Sequence, residues 1–107
     1  MARHDLRGSI VPLVTPFKNG QFDEAAFRDL IEWQIESGSH GISVTGSTGE
    51  PSALTEEERK YVIETAVSAV RGRVPVVAGT GTNNFDETVR LTTFAEKVGV
   101  DAVLVMV

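Results

Sequence analysis

Four short apolar runs alternate with three amphipathic segments, and this alternation constrains the fold more strongly than any other feature of the sequence. The runs are continuous and rich in β-branched residues, as in strands that are buried on both faces of a parallel sheet. The predicted strands are residues 9–15, 41–45, 74–78 and 102–107. Strands separated by amphipathic helices define an α/β protein. Two folds have this pattern, a (β/α) barrel and an open, doubly wound sheet.

The segments between the strands predict three helices, each with a capping residue at its start and a glycine at its end. Asp23 is placed to cap the first helix. Thr55 and Glu58 form a capping box for the second helix, and Asn84 and Glu87 repeat that pattern for the third. The glycines recur at about the length of one strand–helix unit: Gly38, Gly72 and Gly99. The chain is therefore organised as a strand and a helix, three times over, followed by a bare strand.

Each predicted helix carries an apolar face at helical spacing. These faces comprise Phe27, Leu30, Ile31, Gln34 and Ile35 on the first helix, Val62, Ile63, Ala66, Val67 and Val70 on the second, and Val89, Thr92, Phe94, Ala95 and Val98 on the third. Trp33 lies off the first face, where we expect it to cover a neighbouring element. Pro12 lies inside the first strand and favours an edge or a bulge there, because proline cannot donate to a sheet ladder. Residues 16–20 predict a turn.

Length and composition predict one domain, residues 1–107, with a modest core. The net charge of −5 argues against nucleic acid and against anionic membranes as partners. The sequence has no cysteine, which removes disulfides and thiolate metal sites, and we predict no metal centre. No apolar run reaches membrane-spanning length, and the first residues lack the apolar stretch of a signal peptide. We therefore expect a cytoplasmic protein.

The number of strand–helix units is small for either fold. A complete barrel needs about eight units and roughly 250 residues, and this chain supplies about half. It ends on six apolar residues, 102–107, which would leave the last strand with an unpaired edge. We expect the chain to be a fragment, or a half that associates with a second molecule.

A loop of glycines and hydroxyl residues follows the second predicted strand and precedes a helix: Gly46-Ser47-Thr48-Gly49-Glu50. Ligands of α/β proteins bind where a strand leads into a helix in this way. The glycines allow close approach of the backbone, and the hydroxyls and free N–H groups are donors. An anion such as a carboxylate or a phosphate is the predicted guest. A second such loop covers residues 79–83, where we interpret Thr80 and Thr82 as structural.

Three motifs in this order and spacing carry a resemblance over almost the whole chain. They are residues 8–17 (GSIVPLVTPF), residues 46–50 (GSTGE) and residues 76–81 (VVAGTG). The sequence resembles the N-terminal half of the dihydrodipicolinate synthase and N-acetylneuraminate lyase family of class I pyruvate-dependent aldolases. The resemblance implies an eight-stranded (β/α) barrel, of which this chain is about the first half, (βα)3β. It also implies assembly as a homotetramer.

The family resemblance implies a division of roles within the glycine loop. Ser47 matches a residue of a proton relay that includes two tyrosines, and Thr48 matches a residue that binds the pyruvate carboxylate, with Gly46 and Gly49 beside it as substrate-binding residues. A hydroxyl can accept and pass on a proton, and fixed N–H donors hold a carboxylate without reorganisation. No cofactor is implied, because a lysine on a later strand forms a Schiff base with the keto group of pyruvate. The implied reaction is condensation of pyruvate with aspartate semialdehyde in lysine biosynthesis.

A Schiff-base lysine needs a depressed pKa and a dry pocket, and Lys18, Lys60 and Lys97 lie in segments where neither is expected. Tyr61 does not match a relay tyrosine, and His4 and His40 lie at the end opposite the expected site. We therefore expect the isolated chain to be inactive.

Three alternatives remain open. The first is cleavage of a sialic acid or another 2-keto-3-deoxy sugar acid. The second is a non-catalytic half-barrel that self-associates, with its strands in a flavodoxin-like order. The third is a phosphate-binding protein, although neither loop has the lysine of a P-loop.

Overall fold

The computed structural model describes residues 6–46 and 54–105. Its strands are β1 (Ile10–Pro12), β2 (Phe17–Lys18), β3 (Gln21–Phe22), β4 (Gly41–Val44), β5 (Val76–Gly79) and β6 (Ala102–Leu104). Its helices are α1 (Glu24–Glu36), α2 (Glu56–Val70) and α3 (Phe85–Val98). The four long predicted strands and the three predicted helices are all present. The first strand is shorter than predicted, although the N–H of Leu13, just beyond it, still donates to the carbonyl oxygen of Ser43 at 2.9 Å. The last two residues of the predicted strand 102–107 lie outside the described residues.

The order of the parallel strands decides between the two predicted folds. Strands β1, β4, β5 and β6 form one parallel sheet and lie side by side in chain order. Right-handed crossovers that always step in the same direction place every helix on the same face of the sheet. Helix α1 packs on α2, and α2 packs on α3, as this arrangement requires. A doubly wound sheet, including the flavodoxin-like one, reverses its strand order, so the described part of the chain is a segment of barrel wall.

The core lies between the helices and one face of this sheet. The residues of β4 and β5 that face the helices are between 0% and 3% exposed: Ile42, Val44, Val76 and Ala78. Ser43 and Val77 alternate with them and are only half-buried, as the period of two along a strand requires. The helices contribute the predicted faces of α1 and α2, with Phe27, Ile31, Val62, Ile63 and Ala66 fully buried.

The predicted caps set the starts of the helices. The Asp23 carboxylate accepts a hydrogen bond from the N–H of Ala26 at 3.0 Å. The Thr55 hydroxyl accepts from the N–H of Glu58 at 3.1 Å, and the Glu58 carboxylate accepts from the N–H of Thr55 at 2.8 Å, which completes the predicted capping box. Asn84 caps α3 by accepting from the N–H of Glu87 at 2.9 Å, but the capping box predicted there is not completed, because the N–H of Asn84 donates to the Thr82 hydroxyl at 2.9 Å.

The end of α2 is closed by Arg73, which fulfils the role expected of a basic side chain at this end of a helix. Its guanidinium donates to the carbonyl oxygens of Ala69 at 2.7 Å and Val70 at 2.8 Å. It also donates to both carboxylate oxygens of Glu32 on α1, at 2.6 and 3.0 Å, and this lowers the pKa of Glu32. Arg73 thereby ties the ends of two neighbouring helices together.

A hairpin replaces the turn predicted for residues 16–20. Strands β2 and β3 pair antiparallel across Asn19 and Gly20, which have φ angles of 55° and 78°. Two positive φ angles are the signature of a tight hairpin turn, and the Asn-Gly pair is its usual sequence. The hairpin carries Phe22, whose ring packs edge-on against Phe27 and Tyr61, with centroids 5.3 and 5.5 Å apart.

Two predictions about packing are wrong. Trp33 is 60% exposed, so it does not cover a neighbouring element within the described part of the chain. On α3, Leu91 and Ala95 are fully buried, whereas Val89 of the predicted face is 46% exposed. Helix α3 contacts the sheet along a narrow stripe, and the buried stripe is rotated towards Leu91. Pro12 lies on β1, an edge strand of the described sheet, as its chemistry favours.

Candidate active site

The glycine–hydroxyl loop begins where the chain leaves β4 at the carboxyl edge of the sheet. Gly46 lies there, directly beyond β4, and is half-buried. Ser47, Thr48 and Gly49 lie outside the described residues, so the roles assigned to them stay predictions. The geometry of the site is therefore built from the residues that lead into this loop and from those that pack beside it on β5 and α2.

Thr45 connects the ends of β4 and β5. Its hydroxyl oxygen lies 2.8 Å from the carbonyl oxygen of Gly79 and 2.7 Å from that of Val44, so its single proton is shared between two acceptors. The side chain is buried, and the backbone φ of Thr45 is +54°. A positive φ is a genuine outlier for a β-branched residue.

Gly79 allows the two strand ends to approach closely. A Cβ atom on Gly79 would lie 2.5 Å from the carbonyl oxygen of Thr45 and 3.2 Å from the Cα of Gly46. Both are backbone atoms, which cannot rotate away as the end of a side chain can. A residue with a side chain at this position would therefore push the start of the glycine loop away from β5.

Arg59 binds the same strand end from the helix side. It lies on α2, is 4% exposed, and donates to the carbonyl oxygen of Gly79 at 2.6 Å and to that of Gly81 at 3.2 Å. Burial lowers the pKa of Arg59, and the Glu87 carboxylate opposes this effect. The guanidinium keeps its charge at neutral pH, because the unperturbed value is far above it. The carboxyl edge of β5 thus has a buried positive charge behind it.

The hydroxyls of the second loop are used within the loop and α3. The Thr80 and Thr92 hydroxyl oxygens lie 2.8 Å apart, and Thr80 is fully buried. The Thr82 hydroxyl donates to the carbonyl oxygen of Asn84 at 2.7 Å and lies 3.0 Å from the Thr88 hydroxyl oxygen. These contacts favour the structural interpretation of Thr80 and Thr82.

No lysine of the described residues lies in a dry pocket. Lys60 pairs with Glu56 at 3.6 Å and Glu57 at 3.5 Å, and Lys18 and Lys97 are exposed.

The other side chains considered for chemistry also have local roles. Tyr61 donates a hydrogen bond to Glu24, and this contact raises the pKa of the tyrosine and lowers that of the glutamate. The His40 ring accepts a hydrogen bond at Nδ1 from the N–H of Ser9 at 2.9 Å, at the amino end of the sheet. None of these contacts places a base or a nucleophile at the carboxyl edge.

Sequence patterns had indicated the loop and its glycines, but not the parts played by Thr45 and Arg59. The sequence predicts Thr45 to be the last residue of an extended strand, and Arg59 occupies an ordinary helical position. Their contacts join residues 34 and 20 positions apart in the chain, a separation that no local pattern encodes.

A parallel strand–helix wall with a glycine–hydroxyl loop at its carboxyl edge places the chain among the (β/α) barrel proteins, whose ligands bind at that edge. The particular family follows from sequence comparison. The profile of the Dihydrodipicolinate synthetase family matches residues 5–107, and the chain belongs to that family. The resemblance noted in the sequence motifs is confirmed.

Two relatives show how similar the chain is to characterised families. It is 57% identical over 98 residues to the 4-hydroxy-tetrahydrodipicolinate synthase of Parvibaculum lavamentivorans, covering 92% of the chain and 34% of that protein. It is 56% identical over 100 residues to the synthase of Syntrophus aciditrophicus, covering 94% of the chain and 34% of that protein. The chain thus spans about a third of the length of the curated relatives that it matches.

Solved structures agree with these relatives. The dihydrodipicolinate synthase of Aquifex aeolicus superposes with a TM-score of 0.91 at 49% identity, covering 94% of this chain and 34% of that one. The chloride-inhibited synthase of Acinetobacter baumannii, complexed with pyruvate, superposes with a TM-score of 0.89 at 41% identity, covering 94% of this chain and 35% of that one. The predicted fold class, a partial (β/α) barrel, is confirmed. Within residues 6–46 and 54–105, no helix has the length and apolar character needed to cross a bilayer.

Proposed function

We propose that the chain is part of a class I pyruvate-dependent aldolase that condenses pyruvate with aspartate semialdehyde, the reaction of 4-hydroxy-tetrahydrodipicolinate synthase in lysine biosynthesis. The observation that carries this proposal is the 57% identity to a synthase over 98 residues. That similarity extends over the strands and helices that form the carboxyl edge. A cytoplasmic location and assembly into a homo-oligomer belong to the same proposal.

The proposal assigns each loop residue a task. Thr48 binds the pyruvate carboxylate through its hydroxyl and N–H, beside Gly46 and Gly49, and Ser47 passes protons along a hydroxyl chain. The buried charge of Arg59 lies behind this edge and favours an anionic guest. The amine that condenses with the keto group of pyruvate, releasing water, is supplied by a lysine other than Lys18, Lys60 and Lys97. The reaction then needs residues beyond these 107.

The 107-residue chain is expected to form no covalent adduct with pyruvate. All three of its lysines are exposed or ion-paired, so none lies in the dry pocket that a Schiff-base lysine needs. The measurement is incubation with pyruvate and borohydride, followed by mass spectrometry of the intact chain. The Parvibaculum synthase treated in parallel is the positive control. A stoichiometric adduct on the chain would contradict the assignment of the reactive lysine.

Replacing the matched segment of the Parvibaculum synthase with this chain is expected to give an enzyme that condenses pyruvate with aspartate semialdehyde. In this fused enzyme, Thr48→Val is expected to raise the KM for pyruvate by on the order of tenfold, because a hydrogen bond to a charged group is lost. Thr48→Ser keeps the hydroxyl and is the matched control. Steady-state kinetics with each substrate make the measurement. Cleavage of N-acetylneuraminate without condensation would overturn the choice of substrate.

A further inference from the structure

The residue that leads into the glycine loop is held in a conformation that its side chain disfavours. Thr45 has a φ of +54°, a region that glycine and asparagine enter easily and that β-branched residues avoid. A threonine persists in such a conformation only where its surroundings over-determine it. Strain of this kind is concentrated at functional sites, and Thr45 is directly followed by Gly46, the first residue of the candidate site.

The hydrogen bond made by the Thr45 hydroxyl is the contact that holds the residue at its positive φ angle. The hydroxyl oxygen lies 2.8 Å from the carbonyl oxygen of Gly79, and the side chain is 1% exposed. The same carbonyl accepts a hydrogen bond of 2.6 Å from the guanidinium of Arg59, which fixes its direction. Gly79 has no Cβ, and a Cβ there would lie 2.5 Å from the Thr45 carbonyl oxygen. The Gly79 carbonyl is therefore a rigid anchor for the Thr45 hydroxyl, and the ends of β4 and β5 lie close together.

We propose that Thr45 is a positioning residue of the active site. Its anchored hydroxyl holds the left-handed turn, and this turn fixes the point and the direction at which the chain leaves β4 for the pyruvate-binding residues. Without the anchor, residue 45 relaxes to an extended φ, and Gly46 then continues along the line of β4, away from β5. This inference rests on the proposed function.

Kinetics of the fused enzyme test the role of Thr45 in catalysis. Thr45→Val keeps the branched shape and removes the hydroxyl, and it is expected to lower kcat/KM for pyruvate by on the order of tenfold, mainly through KM. The KM for aspartate semialdehyde is expected to stay unchanged, and Thr45→Ser is expected to behave like the parent. A purely structural role would reduce the amount of folded enzyme without changing either KM. Unchanged KM for pyruvate in Thr45→Val would therefore overturn the proposal.

Nuclear magnetic resonance on the 107-residue chain tests the anchor independently of catalysis. The N–H to Hα coupling and the carbon shifts of residue 45 report its φ angle. The parent and Thr45→Ser are expected to show a left-handed residue, and Thr45→Val an extended one. A left-handed residue 45 in Thr45→Val would show that the hydroxyl does not hold the turn, and would sink the proposal. A fused enzyme that is inactive with Thr45 in place overturns the proposed function instead, and the resonance measurement still decides whether the anchor exists.

Discussion

Replacing Gly79 with alanine is expected to lower the free energy of unfolding by about 3 kcal/mol, a large part of the stability of a single domain. The new Cβ would lie 2.5 Å from the Thr45 carbonyl oxygen and 3.0 Å from the carbonyl carbon. Relief of this overlap requires β4 and β5 to separate at their carboxyl ends. That movement breaks the hydrogen bonds that Gly79 accepts from Thr45 and Arg59. Urea unfolding followed by far-ultraviolet circular dichroism measures the loss.

Gly46→Ala is the matched control for this prediction. Among the residues that the structure describes, a Cβ on Gly46 would meet only the Ser43 hydroxyl oxygen, at 3.8 Å, which is an ordinary contact distance. Its stability is expected to stay within about 1 kcal/mol of the parent. Equal losses in the two variants would show that the close approach between the strand ends is not the reason for glycine at position 79.

The strands and helices could be predicted because the information for them is local. Continuous apolar runs indicate the strands, and apolar residues at helical spacing, with the capping residues Thr55 and Asn84, indicate the helices. Each of these signals lies within a segment of about fifteen residues or fewer. The order of the strands is not local. The same strand–helix units fit a barrel or a doubly wound sheet, and only the pairing of β1 with β4 and of β4 with β5 distinguishes them.

The hairpin of β2 and β3 shows a different kind of failure. Its signal, Asn19-Gly20 between Phe17 and Phe22, is present in the sequence and predicts a two-residue hairpin turn. Residues 16–20 predict a turn alone, because each strand of the hairpin has only two residues, too few to show the alternation that identifies a strand.

The candidate site also has one part that the local sequence predicts and one part that it does not. Its glycines and hydroxyls are recognisable from composition and from their place between a strand and a helix. The residues that hold the carboxyl edge of the sheet in place, Thr45 and Arg59, are not recognisable in this way, because the structure of each differs from what its local sequence predicts. A β-branched residue at a strand end predicts an extended φ, and an arginine on a helix predicts a solvated side chain. Sites where local preference and structure disagree are expected to be functional or strained, and this edge is strained at Thr45 and is also the candidate functional site.

Arg59→Ala is expected to lower the free energy of unfolding by about 3 kcal/mol, as truncation of a large buried side chain does. Two effects add. The side chain is 4% exposed, so its removal leaves a cavity between α2 and β5. The Gly79 and Gly81 carbonyl oxygens also lose their charged donor. Urea unfolding again gives the measurement.

Arg59→Met separates the two effects, because methionine fills most of the space and donates no hydrogen bond. Its expected loss is about 1–2 kcal/mol, since the Gly79 carbonyl keeps the Thr45 hydroxyl and the half-buried Gly81 can bind water. Burial of the guanidinium has its own cost, which its removal recovers in part. If Arg59→Met were as stable as the parent while Arg59→Ala lost the full amount, Arg59 would stabilise the edge by packing alone. The hydrogen bond from Arg59 to the Gly79 carbonyl oxygen would then serve to orient that carbonyl for Thr45.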